Sequence, residues 1–151
     1  MRVVLQRVTR ASVMVGGELI SSIGPGLVLL VAAGKDDRPS EVGRLAEKIA
    51  GLRVFNDAEG KMNLPISDVE DAEILVVSQF TLYGDVRRGR RPSWDKAEAP
   101  DAASQRVEEF ALALEQLGAK VSRGIFGAHM EVELLNDGPV TLVIDGRDLA
   151  F

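Results

Sequence analysis

The chain has no cysteine in its 151 residues, and only one histidine, one tryptophan and one tyrosine. Without cysteine there can be no disulfide, no thiolate metal ligand and no thiolate nucleophile. A zinc centre needs three or four ligands at fixed spacing, and a lone histidine does not supply the usual set. No metal and no cofactor is therefore expected. His129 is the single candidate base for a hydroxyl nucleophile, and it reads as a structural or pocket-edge residue. No glycine-rich phosphate loop of the Walker or dinucleotide type is present. No stretch approaches the ~18 apolar residues of a membrane span. The N-terminal apolar residues are interrupted by Arg2, Arg7 and Arg10, unlike the core of a signal peptide. A soluble cytoplasmic protein without a membrane partner is the expectation.

Charge is modest and its placement is uneven. The net value is −5, from 18 basic and 23 acidic residues, which does not mark a nucleic-acid binder by itself. Arg87, Arg88, Arg90 and Arg91 nevertheless crowd four guanidinium groups around Gly89. Such a run is either a solvated loop or an anion site, because guanidinium forks match phosphate oxygens in pairs.

The length suits one domain over residues 1–151. Val3 to Val8 alternate in strand fashion, and Val13-Met14-Val15 runs into Gly16-Gly17, a hairpin signal. Glu18 to Ile23 is the returning strand, and Gly24-Pro25-Gly26 leads into the apolar run Leu27 to Ala33. The cluster Asp36 to Ser40 opens a helix whose stripe is Val42, Leu45, Ala46 and Ile49, ended by Gly51. Leu52 to Phe55 reads as a short strand. A second helix follows Pro100 with Asp101 as its cap and Val107, Phe110, Ala111, Leu114 and Leu117 as its stripe. Ala119–Ser122, Met130–Leu135 and Val140–Ile144 are further strands. Tight turns between the first strands argue against a doubly wound sheet and for a mixed α/β domain with two main helices.

Two segments carry candidate chemistry. Ile74-Leu75-Val76-Val77 is an apolar run suited to a strand buried on both faces, and Ser78-Gln79-Phe80-Thr81 emerges from its end. Polar residues there either line a pocket or satisfy local backbone groups. Asn136-Asp137-Gly138-Pro139 separates two apolar runs. Read alone it is an ordinary hairpin turn. Read as a site, Gly-Pro presents bare backbone, with a cis bond open to it.

These segments, taken together, resemble the D-aminoacyl-tRNA deacylase family. The resemblance runs from Met1 to Val13, through Gly24 to Leu27, Lys48 to Arg53 and Gly60 to Leu64. It continues through Ser78 to Tyr83, Gly89 to Trp94, Phe126 to Ala128 and Asn136 to Thr141. It implies helix, sheet and sheet layers with a partly closed β-barrel. It also implies a homodimer whose active site forms at the subunit interface. The implied substrate is the ester of a D-amino acid with the acceptor end of tRNA. Glycyl-tRNA, including glycine mischarged on alanine tRNA, should also enter, because glycine has no Cβ to exclude. The terminal ribose 2′-hydroxyl would help to activate water. Backbone N–H groups of Phe80 and Thr81 would bind the carbonyl oxygen, with Gln79 supporting and Ser78 positioning them. A cis Gly138-Pro139 unit would reject L side chains, and Arg87, Arg88, Arg90 and Arg91 would contact tRNA phosphates. Two other readings stay open: a non-catalytic RNA-binding dimerisation module, and a small-molecule esterase with Thr81 as nucleophile.

Overall fold

The computed structural model describes residues 1–150. In chain order the strands and helices are β1 (Arg2–Val15), β2 (Glu18–Ile23), β3 (Gly26–Ala32), α1 (Pro39–Ala50), β4 (Phe55–Asn56) and β5 (Met62–Leu64). There follow β6 (Glu73–Ser78), α2 (Pro100–Gln116), β7 (Lys120–Arg123) and β8 (Glu131–Asp145). The main sheet runs β2-β1-β3-β6-β7, and β8 pairs with β1. β3, β6 and β7 are mutually parallel while β1 is antiparallel to β2, β3 and β8. The sheet curls until β2 meets β7, where the Ser21 hydroxyl donates to the Arg123 carbonyl. The result is a nearly closed, barrel-like mixed sheet with two helices against it.

The unbroken apolar runs have a direct cause in this layering. Leu27, Leu29 and Val31 of β3 and Ile74 and Val76 of β6 face the helices. They pack there with Leu45 and Ile49 of α1 and Phe110 and Leu114 of α2. The intervening Val28, Leu75 and Val77 face the other way, into a second core with Val8, Val13 and Ile23. Both faces of β3 and β6 are therefore covered, so neither strand needs polar alternation.

Several boundaries differ from the sequence reading. Only Phe55 and Asn56 form β4. Leu52 to Val54 lie outside any strand, and the Val54 carbonyl accepts from the Arg7 guanidinium instead of a sheet neighbour. Asp101 does not cap α2. Ala99 precedes the helix and Pro100 takes its first position, a place where proline's missing N–H costs nothing. Asp101 stands in the first turn, where a carboxylate faces the positive end of the helix dipole. Leu117 lies just past the helix end and is exposed, so it leaves the stripe.

The largest correction concerns residues 131–145. They form one strand, not two strands joined by a hairpin turn. Both halves of β8 pair with β1, through Met14↔Glu131 to Val8↔Asn136 and then Gln6↔Thr141 to Arg2↔Asp145. Residues 137 to 140 stand opposite the single residue Arg7 and must arch away from the ladder.

Phe110 is wholly buried between the helices and the sheet (0 % exposed). Phe110→Ala is expected to lower unfolding stability by about 3–5 kcal/mol, measured by urea denaturation.

Candidate active site

β6 ends at Ser78, and a 3-10 turn, Phe80–Tyr83, follows at once. The strand's exit opens on a cavity of about 690 Å³, lined there by Val77, Ser78, Gln79 and Phe80. The opposite walls come from the segments around Lys35, from Trp94 and residues 97–100, and from Phe126 to Met130. Phe80 and Trp94 meet edge to face at the rim, with ring centroids 5.3 Å apart. The ionisable side chains on the lining are those of Lys35, Glu98 and His129. His129 lies on the lining, and its side chain is exposed. Among the described residues no group of three or more His, Asp or Glu side chains converges as a metal site.

Thr81 is not on the lining. The 3-10 turn carries it outward, and its hydroxyl accepts a hydrogen bond from the Gln79 side-chain amide. An amide N–H facing the hydroxyl oxygen withdraws electron density from it. A nucleophile needs the reverse, a base that takes its proton. Among the described residues no carboxylate, amine or imidazole is bonded to Thr81. The main chain at the start of the turn offers a different resource, because the first N–H groups of a helical turn have no partner within it.

Gly138-Pro139 lies elsewhere in the chain. The bond is cis, Gly138 has φ +128°, and both residues are exposed on the arch of β8. Neither lines the cavity beside Ser78. A single chain therefore does not bring the two sequence-predicted segments together.

The arch is nevertheless tightly built. The Arg7 side chain is buried, and its guanidinium donates to the carbonyls of Asp137 (3.1 Å) and Val54 (2.8 Å) and to Asn56 Oδ1 (3.2 Å). The Asp137 carboxylate adds an ion pair at 3.4 Å. Asn136 spans the base of the arch, its amide donating to the carbonyls of Arg7 and Val140, each at 2.9 Å. Its Oδ1 accepts from Thr141 Oγ1, which accepts in turn from Gln6. A Cβ on residue 138 would sit 2.9 Å from Val140 Cγ2 and 3.0 Å from Arg7 Nη2, so only glycine fits.

Arg7 and Asn136 were given no role from the sequence. The signal for Arg7 was available: it shares strand parity with Val3 and Leu5, both in the core.

The arginine cluster sits on a loop closed by the backbone pair Asp85–Ser93. Arg87 differs from the other three in being held by a carboxylate of the same loop. Its backbone N–H and guanidinium both bond the Asp85 carboxylate. Those bonds, the side-chain one foremost, hold Asp85 well below the usual carboxylate range. Arg88, Arg90 and Arg91 are exposed on the same loop.

Comparison with known proteins decides the kinship. The D-Tyr-tRNA(Tyr) deacylase family profile matches residues 4–145. The chain belongs to that family. It is 54 % identical to the D-aminoacyl-tRNA deacylase of Symbiobacterium thermophilum over 147 residues, 97 % of each chain. It is 49 % identical to that of Thermotoga petrophila over 149 residues, 99 % of each. A solved structure described as c-Myc DNA Unwinding Element Binding Protein superposes with a TM-score of 0.89 at 40 % identity, covering 96 % of this chain and 98 % of its own. A probable eukaryotic D-amino acid tRNA deacylase shares the fold, with a TM-score of 0.82 at 17 % identity, over 95 % of this chain and 97 % of its own. For this deacylase-family chain, none of the helices among the described residues is long and apolar enough to cross a membrane.

Arg7→Ala leaves the Asp137 and Val54 carbonyls without their buried donor. It is expected to cost about 1–3 kcal/mol of stability for each buried acceptor left unpaired. Exchange of the backbone amides near 137–140 should also become faster. Thermal melts and hydrogen–deuterium exchange on the same sample check both.

Proposed function

We propose that this family member is an editing hydrolase of the cytoplasm that cleaves D-aminoacyl-tRNA, and glycyl-tRNA, to free amino acid and tRNA. The observation that carries the reading is the make-up of the cavity. It has a main-chain turn at the end of a buried strand, and the Thr81 hydroxyl just outside it faces an amide in place of a base. That is poor equipment for covalent catalysis and adequate for an activated ester. An aminoacyl ester carries an α-ammonium beside its carbonyl and a vicinal ribose hydroxyl, so orientation supplies much of the barrier reduction.

In this scheme the ribose 2′-hydroxyl assists the attacking water. The N–H groups of Phe80 and Thr81 stabilise the oxyanion, Gln79 holds Thr81 in place, and Ser78 orients the strand end. Arg88, Arg90 and Arg91 contact acceptor-end phosphates, with Arg87 fixing the loop through Asp85.

Chirality is assigned to Gly138-Pro139 of a second copy of the chain. Three features support a site shared across a homodimer. The Gly-Pro arch stands clear of its own chain's cavity and is braced from behind by Arg7. Among the described residues β8 has no strand on its outer side, and a long open edge is a template for another chain. Val132, Leu135, Leu142 and Val143 on β8 are exposed, as are Phe80 and Phe126 at the cavity. Docked into a neighbour's cavity, main-chain carbonyls of the arch would form a wall that cannot swing aside. An L side chain would strike it, while a D side chain or a bare glycine would pass.

Release of labelled amino acid from tRNAs charged in parallel with D-, L- and achiral residues is the test. The D and glycyl esters should be cleaved and the L ester spared, while D-amino-acid esters lacking a ribose should be poor substrates. Thr81→Ala should keep activity within about tenfold, against about 10⁶-fold for loss of a true covalent nucleophile. Equal D and L rates would remove the chiral claim. A dead but folded Thr81→Ala would restore the covalent one.

A further inference from the structure

Behind the cavity lies a buried carboxylate that the scheme above does not use. Asp37 packs at the back of the loop that carries Lys35, and its side chain is 2 % exposed. One oxygen, Oδ2, accepts the Gly34 backbone N–H at 2.6 Å. The other lies 2.6 Å from the Met1 ammonium and 3.4 Å from the hydroxyl of Tyr83, which donates to it. The Asp37 carbonyl accepts from Arg106 of α2 at 2.8 Å.

Tyr83 is the last residue of the turn that begins at Phe80. Burial, and then the nearby Asp37 charge, push its hydroxyl pKa well up, so it remains a donor. The ring is confined from two further sides. Arg2 stacks its guanidinium 4.5 Å from the ring centroid and donates to the Leu82 carbonyl at 3.0 Å. Gly34 gives the ring room, because a Cβ there would lie 2.6 Å from the ring carbon Cζ and from the hydroxyl. The next residue, Gly84, similarly admits the Trp94 ring, whose nearest atom would be 2.8 Å from a Cβ.

Asp37 therefore ties two walls of one cavity to a single buried point. The Lys35 wall is held through the Gly34 backbone amide, and the Ser78–Phe80 wall through the far end of the turn that follows it. We propose that Asp37 and Tyr83 are positioning residues for the hydrolysis, holding the Phe80–Thr81 main chain at the separation from the Lys35 wall that the ester requires. The inference rests on the oxyanion role given to that turn. A buried carboxylate shared by two loops suits this task because its hydrogen-bonding directions are fixed and water does not compete for them. Small displacements of such a wall are felt mainly in the chemical step, where donors must match the developing charge.

The experiment measures kcat and KM on D-aminoacyl-tRNA for the wild type, Tyr83→Phe, Asp37→Asn and the double variant, with folded fraction read by circular dichroism. Tyr83→Phe removes one oxygen and preserves the ring. It should fold, lose about tenfold or more in kcat, and keep KM within about twofold. The double variant should be no worse than the poorer single, since both act through one contact. A folded Tyr83→Phe with wild-type kcat overturns the inference, even if Asp37→Asn does not fold. So does a kcat loss that merely follows the folded fraction. Inactivity of the wild type itself on D esters would instead sink the deacylase reading.

Discussion

A guanidinium at a core-facing strand position sets the terms for the rest of this molecule. Arg7 shares its face with Val3 and Leu5, and an unpaired charge there would be strongly destabilising. It is satisfied by carbonyls from two separate segments, Asp137 and Val54, and by Asn56. Satisfying Arg7 thereby fixes where β8 leaves the ladder, where it returns, and where the β4–β5 hairpin docks. The same group makes the exposed main chain at 138 and 139 stiff, although almost no side chain covers it.

From this follows a division of labour along the chain. The cavity belongs to the ends of parallel strands and the loops after them, a usual place for ligands in sheets of this kind. The Gly-Pro arch belongs to β8, a strand that turns Leu134, Val140 and Ile144 toward the cores and leaves Leu135, Leu142 and Val143 exposed. The proposed reaction requires the two to act together. In the proposed scheme a second copy of the chain brings them together, and closed two-fold pairing would make two equivalent sites at once.

Much of the fold was legible because its causes are local. The stripe of α1 and the two-faced apolar runs of β3 and β6 announce themselves in any short window. The arch was not legible in that way. Asn-Asp-Gly-Pro carries the same turn chemistry whether the chain reverses or merely bulges, and the choice is made by pairing with β1, far away in sequence. Thr81 illustrates the same limit at the site. Its neighbours Ser78, Gln79 and Phe80 reach the cavity, but the change from strand to 3-10 turn rotates Thr81 outward. Arg87 looked equivalent to Arg88, Arg90 and Arg91 until Asp85 was seen to hold it. The family resemblance supplied chemistry that residue types alone did not.

In the proposed scheme one working site takes its cavity from one chain and its Gly-Pro wall from another. Co-producing two variants, Gly138→Ala, which crowds the arch, and Ala128→Trp, which fills the cavity, tests this most directly. Each alone should be inactive on D-aminoacyl-tRNA. Their mixture should recover about a quarter of wild-type activity, because half the dimers are mixed and each holds one intact site. A mixture as inactive as its parents, with mixed dimers present, would contradict the claim.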